Sequence, residues 1–79
     1  METDFNVKLE TIDEVKRFVD VMRDYKGEVN ITSSKKNYIV DGKSILGVIS
    51  LGFDDNLNVK FYNGVTDDYR HELEPFLCA

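Results

Sequence analysis

Apolar and polar residues alternate along several short segments, which is the period of a β-strand with one buried face. Phe5, Val7 and Leu9 alternate with polar residues, and the same period recurs twice further along the chain. A shorter segment around Val40 lies between those two. The pattern predicts four strands with one face toward a core and one toward water, at residues 5–10, 28–32, 38–41 and 57–61.

Apolar residues spaced three and four apart follow the first strand and predict one buried face of a helix. They are Ile12, Val15, Phe18, Val19, Met22 and Tyr25. Thr11 and Glu14 have the spacing of a capping box, in which each side chain satisfies a free backbone N–H of the first turn. Gly27 is expected to end this helix.

Two further helices are predicted from their start and stop residues. Ser44 is a natural N-cap for a short apolar segment that reaches Leu51, and Gly52 ends it. The last helix begins at Thr66, with two acidic residues in its first turn, and Pro75 disrupts it near its end.

The predicted order is therefore βαββαβα. Four amphipathic strands with helices covering one side give an α+β open-faced β-sandwich, a four-stranded antiparallel sheet with its helices on one face. The chain has 79 residues and no linker or repeat, so residues 1–79 are expected to form a single domain. A chain of this length buries only about 60% of its unfolded surface, which leaves no room for a deep active site.

Charge excludes some classes of partner. The net charge is −5, from 15 acidic and 10 basic residues. Binding to a nucleic-acid backbone requires a basic face that displaces counterions, so neither nucleic acid nor an anionic membrane is expected as a partner. A basic protein partner is compatible with this charge.

Cysteine usage and the apolar pattern point to the cytoplasm. Cys78 is the only cysteine, so it can form no internal disulfide and offers no zinc-binding spacing. The segment 1–4 has neither a basic region nor an apolar run, and no apolar stretch is long enough to span a membrane. We expect a cytoplasmic protein without a signal peptide.

No arrangement of residues predicts catalysis. His71 is the only histidine, and it lies about 200° around the last helix from the apolar Tyr69 and Leu73, so it points away from the core. The acidic pairs 54–55 and 67–68 are explained by a turn and by a helix start. The glycines form no phosphate-binding motif. We expect no catalytic residue, no metal and no cofactor.

Ser44 is the most promising position for chemistry. Its hydroxyl can accept a backbone N–H, and a phosphate placed there would meet the same N–H groups. The spacing alone favours a role of Ser44 only as a cap, because N-cap serines are common. Ile45, Leu46 and Ile49 add more apolar surface than one buried stripe of a short helix can use, so they form a partner site unless the last helix or the hairpin covers them.

The segment Lys43-Ser-Ile-Leu-Gly-Val-Ile-Ser-Leu-Gly52 closely resembles the regulatory-site segment of HPr, the histidine-containing phosphocarrier of the bacterial sugar phosphotransferase system. Only Leu46 and Ile49 depart from that segment, both conservatively. The βαββαβα order also fits the HPr-like fold. The resemblance implies that Ser44 is a phosphorylation site for the HPr kinase, and that Ile45, Leu46, Gly47 and Ile49 bind a transcription regulator.

The same resemblance exposes a difference at the carrier site. HPr proteins carry phosphate on a histidine just before the first helix, closely followed by an arginine and a proline. Here that stretch is a degenerate carrier site without any of the three: Thr11, Ile12, Asp13 and Glu14. Thr11 and Glu14 would satisfy the free N–H groups, and the acidic residues would repel a phosphate.

Three hypotheses follow. The first is an HPr-like regulatory protein of carbon catabolite repression that is not a histidine phosphocarrier and binds the HPr kinase, a transcription regulator or other phosphotransferase-system proteins. The second is a divergent phosphocarrier of that system. The third is a scaffold-only ligand or assembly domain, in which Gly47 permits close helix–sheet packing. The chain could be a monomer or a strand-exchanged dimer.

Overall fold

A computed structural model describes residues 2–53 and 56–78, and the predicted turn at Asp54 and Asp55 lies outside these ranges. The elements follow the predicted order, with a short 3-10 turn after the last helix. Their bounds are β1 Thr3–Val7, α1 Ile12–Asp24, β2 Val29–Ser33, β3 Ile39–Asp41, α2 Ile45–Ser50, β4 Leu57–Phe61, α3 Asp67–Leu73 and the 3-10 turn Glu74–Phe76. Within these ranges no helix has the length and apolarity needed to cross a membrane.

The described strands form one four-stranded antiparallel sheet in the order β1-β4-β2-β3. In the central pair, Val29 lies opposite Phe61 and Ile31 opposite Val59. All four side chains are buried, because the alternation places them on the sheet face that the helices cover. The predicted α+β open-faced sandwich is therefore confirmed.

α1 packs its predicted apolar stripe into the core, with one exception. Val15, Phe18, Val19 and Met22 are buried, but Ile12 is 44% exposed, so its assignment to the buried face was wrong. Ile12 is the first residue of α1. Because helical side chains tilt toward the N-terminus, its side chain projects beyond the end of the helix.

The C-terminal segment covers part of the outer edge of β1. The Lys8 N–H donates to the Phe76 carbonyl over 3.1 Å, the Cys78 N–H donates to the Asn6 carbonyl over 2.9 Å, and Val7 bridges to Leu77. The first strand accordingly ends at Val7, earlier than the alternation predicted. These bonds satisfy backbone groups that an edge strand otherwise leaves exposed.

The C-terminal end of α1 is held by distant side chains. Its last carbonyls lack partners within the helix. The Tyr69 hydroxyl donates to the Val21 carbonyl over 2.6 Å, and the Lys43 ammonium donates to the Tyr25 carbonyl over 2.7 Å. α1 ends at Asp24, slightly before the predicted stop at Gly27.

Phe61 is the centre of an aromatic cluster between the sheet and the helices. Its ring centroid lies 4.9 Å from that of Tyr25, 5.7 Å from that of Tyr69 and 5.9 Å from that of Phe5. Edge-on contacts of this kind add to the stability gained from burial alone. The cluster joins β1, β4, α3 and the end of α1.

Candidate functional site

Ser44 caps α2, as its sequence position predicts. Its backbone is extended, and its hydroxyl oxygen accepts the Gly47 N–H over 3.2 Å. The turn before it is held by Asp41, whose carboxylate accepts the Lys43 N–H over 2.9 Å and whose carbonyl accepts the Ser44 N–H over 3.0 Å. This turn positions the Ser44 side chain at the start of α2.

Two cationic side chains connect this turn to α1. The Arg23 Nε donates to the Lys43 carbonyl over 3.2 Å, immediately before Ser44 in the chain. The Lys43 ammonium donates instead to the Tyr25 carbonyl, at the C-terminal end of α1. Arg23 therefore places its guanidinium group beside the backbone that precedes Ser44, while Lys43 is engaged with α1.

The apolar residues of α2 divide between the core and solvent. Val48 and the following Leu51 are buried, Ile45 and Ile49 are partly buried, and Leu46 is 77% exposed. Neither α3 nor the hairpin covers Leu46. Of the four residues predicted to bind a partner, Leu46 is thus the one presented most openly.

Gly47 lies where α2 approaches the sheet. A Cβ at this position would stand 3.1 Å from the Cβ of Val40, tighter than an ordinary contact, so glycine lets α2 pack closely on β3. The packing role suggested for Gly47 is supported, and contact with a partner remains a prediction.

The start of α1 is occupied by its own side chains. The Thr11 hydroxyl oxygen accepts the Glu14 N–H over 3.1 Å, and the Glu14 carboxylate accepts the Glu10 N–H over 3.0 Å. The return bond of the predicted capping box thus goes to Glu10 rather than to Thr11. Ile12 and Asp13 are exposed, and Asp13 and Glu14 place two carboxylates in the first turn.

His71 lies on the exposed side of α3, as the helical spacing predicted. Its Nδ1 atom contacts the Glu74 carboxylate one turn away, and its side chain is 77% exposed. Within residues 2–53 and 56–78, no three His, Cys, Asp or Glu side chains are grouped so that they could hold a metal ion.

Solved structures with the same architecture were found by comparison. The crystal structure of the phosphocarrier protein HPr from Bacillus anthracis str. Ames matches with a TM-score of 0.71 over 98% of both chains, at 15% sequence identity. HPr-C-His from Thermoanaerobacter tengcongensis matches over 95% of this chain and 88% of its own, with a TM-score of 0.65 and 21% identity. The fold is that of the HPr proteins. No protein-family model matches the sequence, and no curated protein matches it.

Some features around the site on this HPr-like fold were not anticipated. Arg23 and Tyr38 have no spacing signal that would connect them to Ser44 or α2, yet Arg23 reaches the Lys43 carbonyl and the Tyr38 hydroxyl donates to the Ser50 carbonyl over 2.9 Å. Both contacts join separate elements, so only the folded chain shows them.

Proposed function

We propose that this chain is an HPr-like regulatory protein of the bacterial sugar phosphotransferase system and carbon catabolite repression, and that it acts by binding protein partners. In this proposal Ser44 is the phosphorylated residue, and no histidine carries phosphate. The HPr-like fold supports the general class. We infer regulation rather than phosphate transfer because the starts of α2 and α1 differ. The start of α2 has a hydroxyl next to exposed apolar surface, whereas the start of α1 has two carboxylates and no histidine.

The observation that carries the proposal is the exposure of Leu46 beside Ser44. An aliphatic side chain that is 77% exposed on a six-residue helix contributes almost nothing to the core, which Val48 and Leu51 fill from the same helix. A single exposed aliphatic residue is common on protein surfaces, whereas a contiguous apolar patch often marks a partner site. With Ile45 and Ile49 partly exposed at its sides, Leu46 forms an apolar surface adjoining a modifiable hydroxyl.

Ser44 also has a suitable electrostatic setting. A phosphate on its oxygen would add nearly two negative charges at neutral pH. The Arg23 guanidinium group is held against the carbonyl of Lys43, the residue before Ser44. The proposal therefore pairs a phosphate on Ser44 with Arg23, since the Lys43 ammonium is bonded to the Tyr25 carbonyl.

The start of α1 argues against phosphate transfer there. The Thr11 hydroxyl already accepts the Glu14 N–H of the first turn, the Glu14 carboxylate accepts the Glu10 N–H just before the helix, and no imidazole is present in this stretch. A phosphate at this point would also face the carboxylates of Asp13 and Glu14, each repelling it by on the order of 1 kcal/mol at close range in water.

The test of phosphorylation uses the full chain, the HPr kinase and ATP, with intact-mass analysis before and after acid treatment. We expect one acid-stable phosphate on the parent and none on Ser44→Ala. Ser50→Ala, which changes another serine of α2, is the matched control and should be modified like the parent. Modification of Ser44→Ala, or of neither protein, would reject Ser44 as the acceptor.

A parallel incubation with enzyme I and phosphoenolpyruvate separates the regulatory protein from the divergent carrier. We expect no phosphate to be transferred. An acid-labile phosphate on His71, or an acid-stable phosphate ester on Thr11, would instead establish the carrier hypothesis and exclude the proposed loss of that activity.

A further inference from the structure

A surface groove lies between α1 and the C-terminal segment, and its floor is apolar. Val21, Pro75 and Phe76 contribute that floor, and the groove has a volume of about 480 Å³. Pro75 lies in the 3-10 turn that follows α3, and the Phe76 carbonyl is then tied to β1. The turn thus leaves the space beside α1 unfilled. This volume is within the range of about 300–1,000 Å³ that is usual for ligand-binding sites.

The rim of the groove is mainly acidic. Glu14, Asp20 and Glu72 contribute three carboxylates, against the single guanidinium group of Arg17. Glu14 is engaged in the cap of α1. Among the described residues, neither Asp20 nor Glu72 has a recorded salt-bridge partner. An apolar floor is therefore bordered by carboxylates that a cationic ligand could neutralise.

We propose that this groove binds a segment of a partner protein that presents an apolar side chain flanked by lysine or arginine residues. Burial of the apolar side chain against Val21 and Phe76 supplies the main attraction. The acidic rim attracts flanking cations and disfavours an acidic partner, because like charges brought together at an interface are unfavourable. None of the residues lining the groove belongs to α2, so this site is separate from the surface at Ser44.

The test is an NMR titration of the isotope-labelled full chain with the amidated, N-acetylated peptide Lys-Lys-Phe-Lys-Lys. We expect the amide resonances of Val21, Glu72 and Phe76 to shift. A peptide with alanine in place of phenylalanine should bind at least about tenfold more weakly, since it loses most of the apolar area buried against Val21 and Phe76. The peptide Glu-Glu-Phe-Glu-Glu should cause no shift.

Two sets of variants test the role of the rim: one removes negative charge and the other removes positive charge. The double variant Asp20→Asn with Glu72→Gln should weaken binding about fivefold or more, because each exposed ion pair contributes only modestly. Arg17→Gln should strengthen binding, since it removes the one cation of the rim. All three side chains are exposed, so these variants should fold normally, which circular dichroism can verify.

The matched control is the double variant Asp4→Asn with Glu28→Gln, which removes the same charge from exposed positions outside the groove. It should change the affinity less than twofold. Equal weakening by both double variants, or shifts centred on the open face of the sheet, would show non-specific attraction and overturn the proposal. Concentration-dependent shifts without peptide, together with a dimer in sedimentation, would assign the groove to a second copy and would also overturn it.

Discussion

Replacing Ser44 by alanine should weaken the fold measurably without unfolding it. The substitution removes the oxygen that accepts the Gly47 N–H over 3.2 Å, and no other side chain is recorded at that N–H among the described residues. Loss of an N-cap of this type costs about 1 kcal/mol. In a domain of this size, that corresponds to a fall of about 4–8 °C in the melting temperature.

Two companion variants test whether the lost stability comes from the cap itself. Ser44→Asp restores an acceptor in the same position, so its unfolding free energy should return to within about 0.5 kcal/mol of the parent. Thr66→Ala removes an equivalent cap at the start of α3, where the Thr66 hydroxyl oxygen accepts the Tyr69 N–H over 3.2 Å. Its loss of stability should be of similar size.

Urea denaturation followed by far-ultraviolet circular dichroism measures these differences in a chain that contains no tryptophan. An unchanged midpoint for Ser44→Ala would refute the assigned capping role. A Ser44→Asp variant as unstable as Ser44→Ala would show that the side-chain acceptor is not the source of the stability. A loss near 1 kcal/mol would also validate Ser44→Ala as a folded control for phosphorylation, since domains have about 5–15 kcal/mol of stability.

Three further predictions follow from the structure. Leu46→Asp should leave the unfolding free energy within about 0.5 kcal/mol of the parent but weaken binding of the proposed regulator in calorimetry, whereas Ile39→Asp, at a residue on β3 that is 64% exposed, should bind normally. Burial, assisted by Glu72, raises the pKa of the Tyr69 hydroxyl well above its ordinary 10.0. The stability linked to the neutral hydroxyl is therefore complete below pH 10 and decreases progressively as the pH rises from 10 toward the raised pKa, and Tyr69→Phe should flatten this fall in denaturation midpoints measured across pH. Phe61→Ala should cost about 3–5 kcal/mol in the same urea assay, and a cost below about 1 kcal/mol would contradict its central place in the aromatic cluster.

Local features of the fold could be predicted because they depend on residues close together in the chain. Thr11, Ser44 and Thr66 each bind the N–H three residues ahead, a contact set by helical geometry once the helix begins. The alternation of apolar residues likewise marked the strands, since neighbouring side chains point to opposite faces. The assignment of Ile12 was wrong because the periodicity alone does not show where the core ends.

The candidate sites depended more strongly on distant contacts. Leu46, Ile45 and Ile49 could be identified as surplus apolar residues, but only packing decided that Leu46 is the one left open. The bond from Arg23 to the Lys43 carbonyl links residues 20 positions apart and has no local signal.

Short-range sterics and hydrogen bonding govern the order of elements, their caps and the buried stripe of α1, so residues close together in the chain are enough to predict these features. The absence of a histidine before α1 is read directly from the sequence. Tertiary structure alone decided how the C-terminal segment covers β1, how α1 is tied to the turn before Ser44, and how Val21 and Phe76 come to share a groove. Those arrangements depend on which surfaces meet when the helices close over the sheet, and the contacts that hold them join residues far apart in the chain.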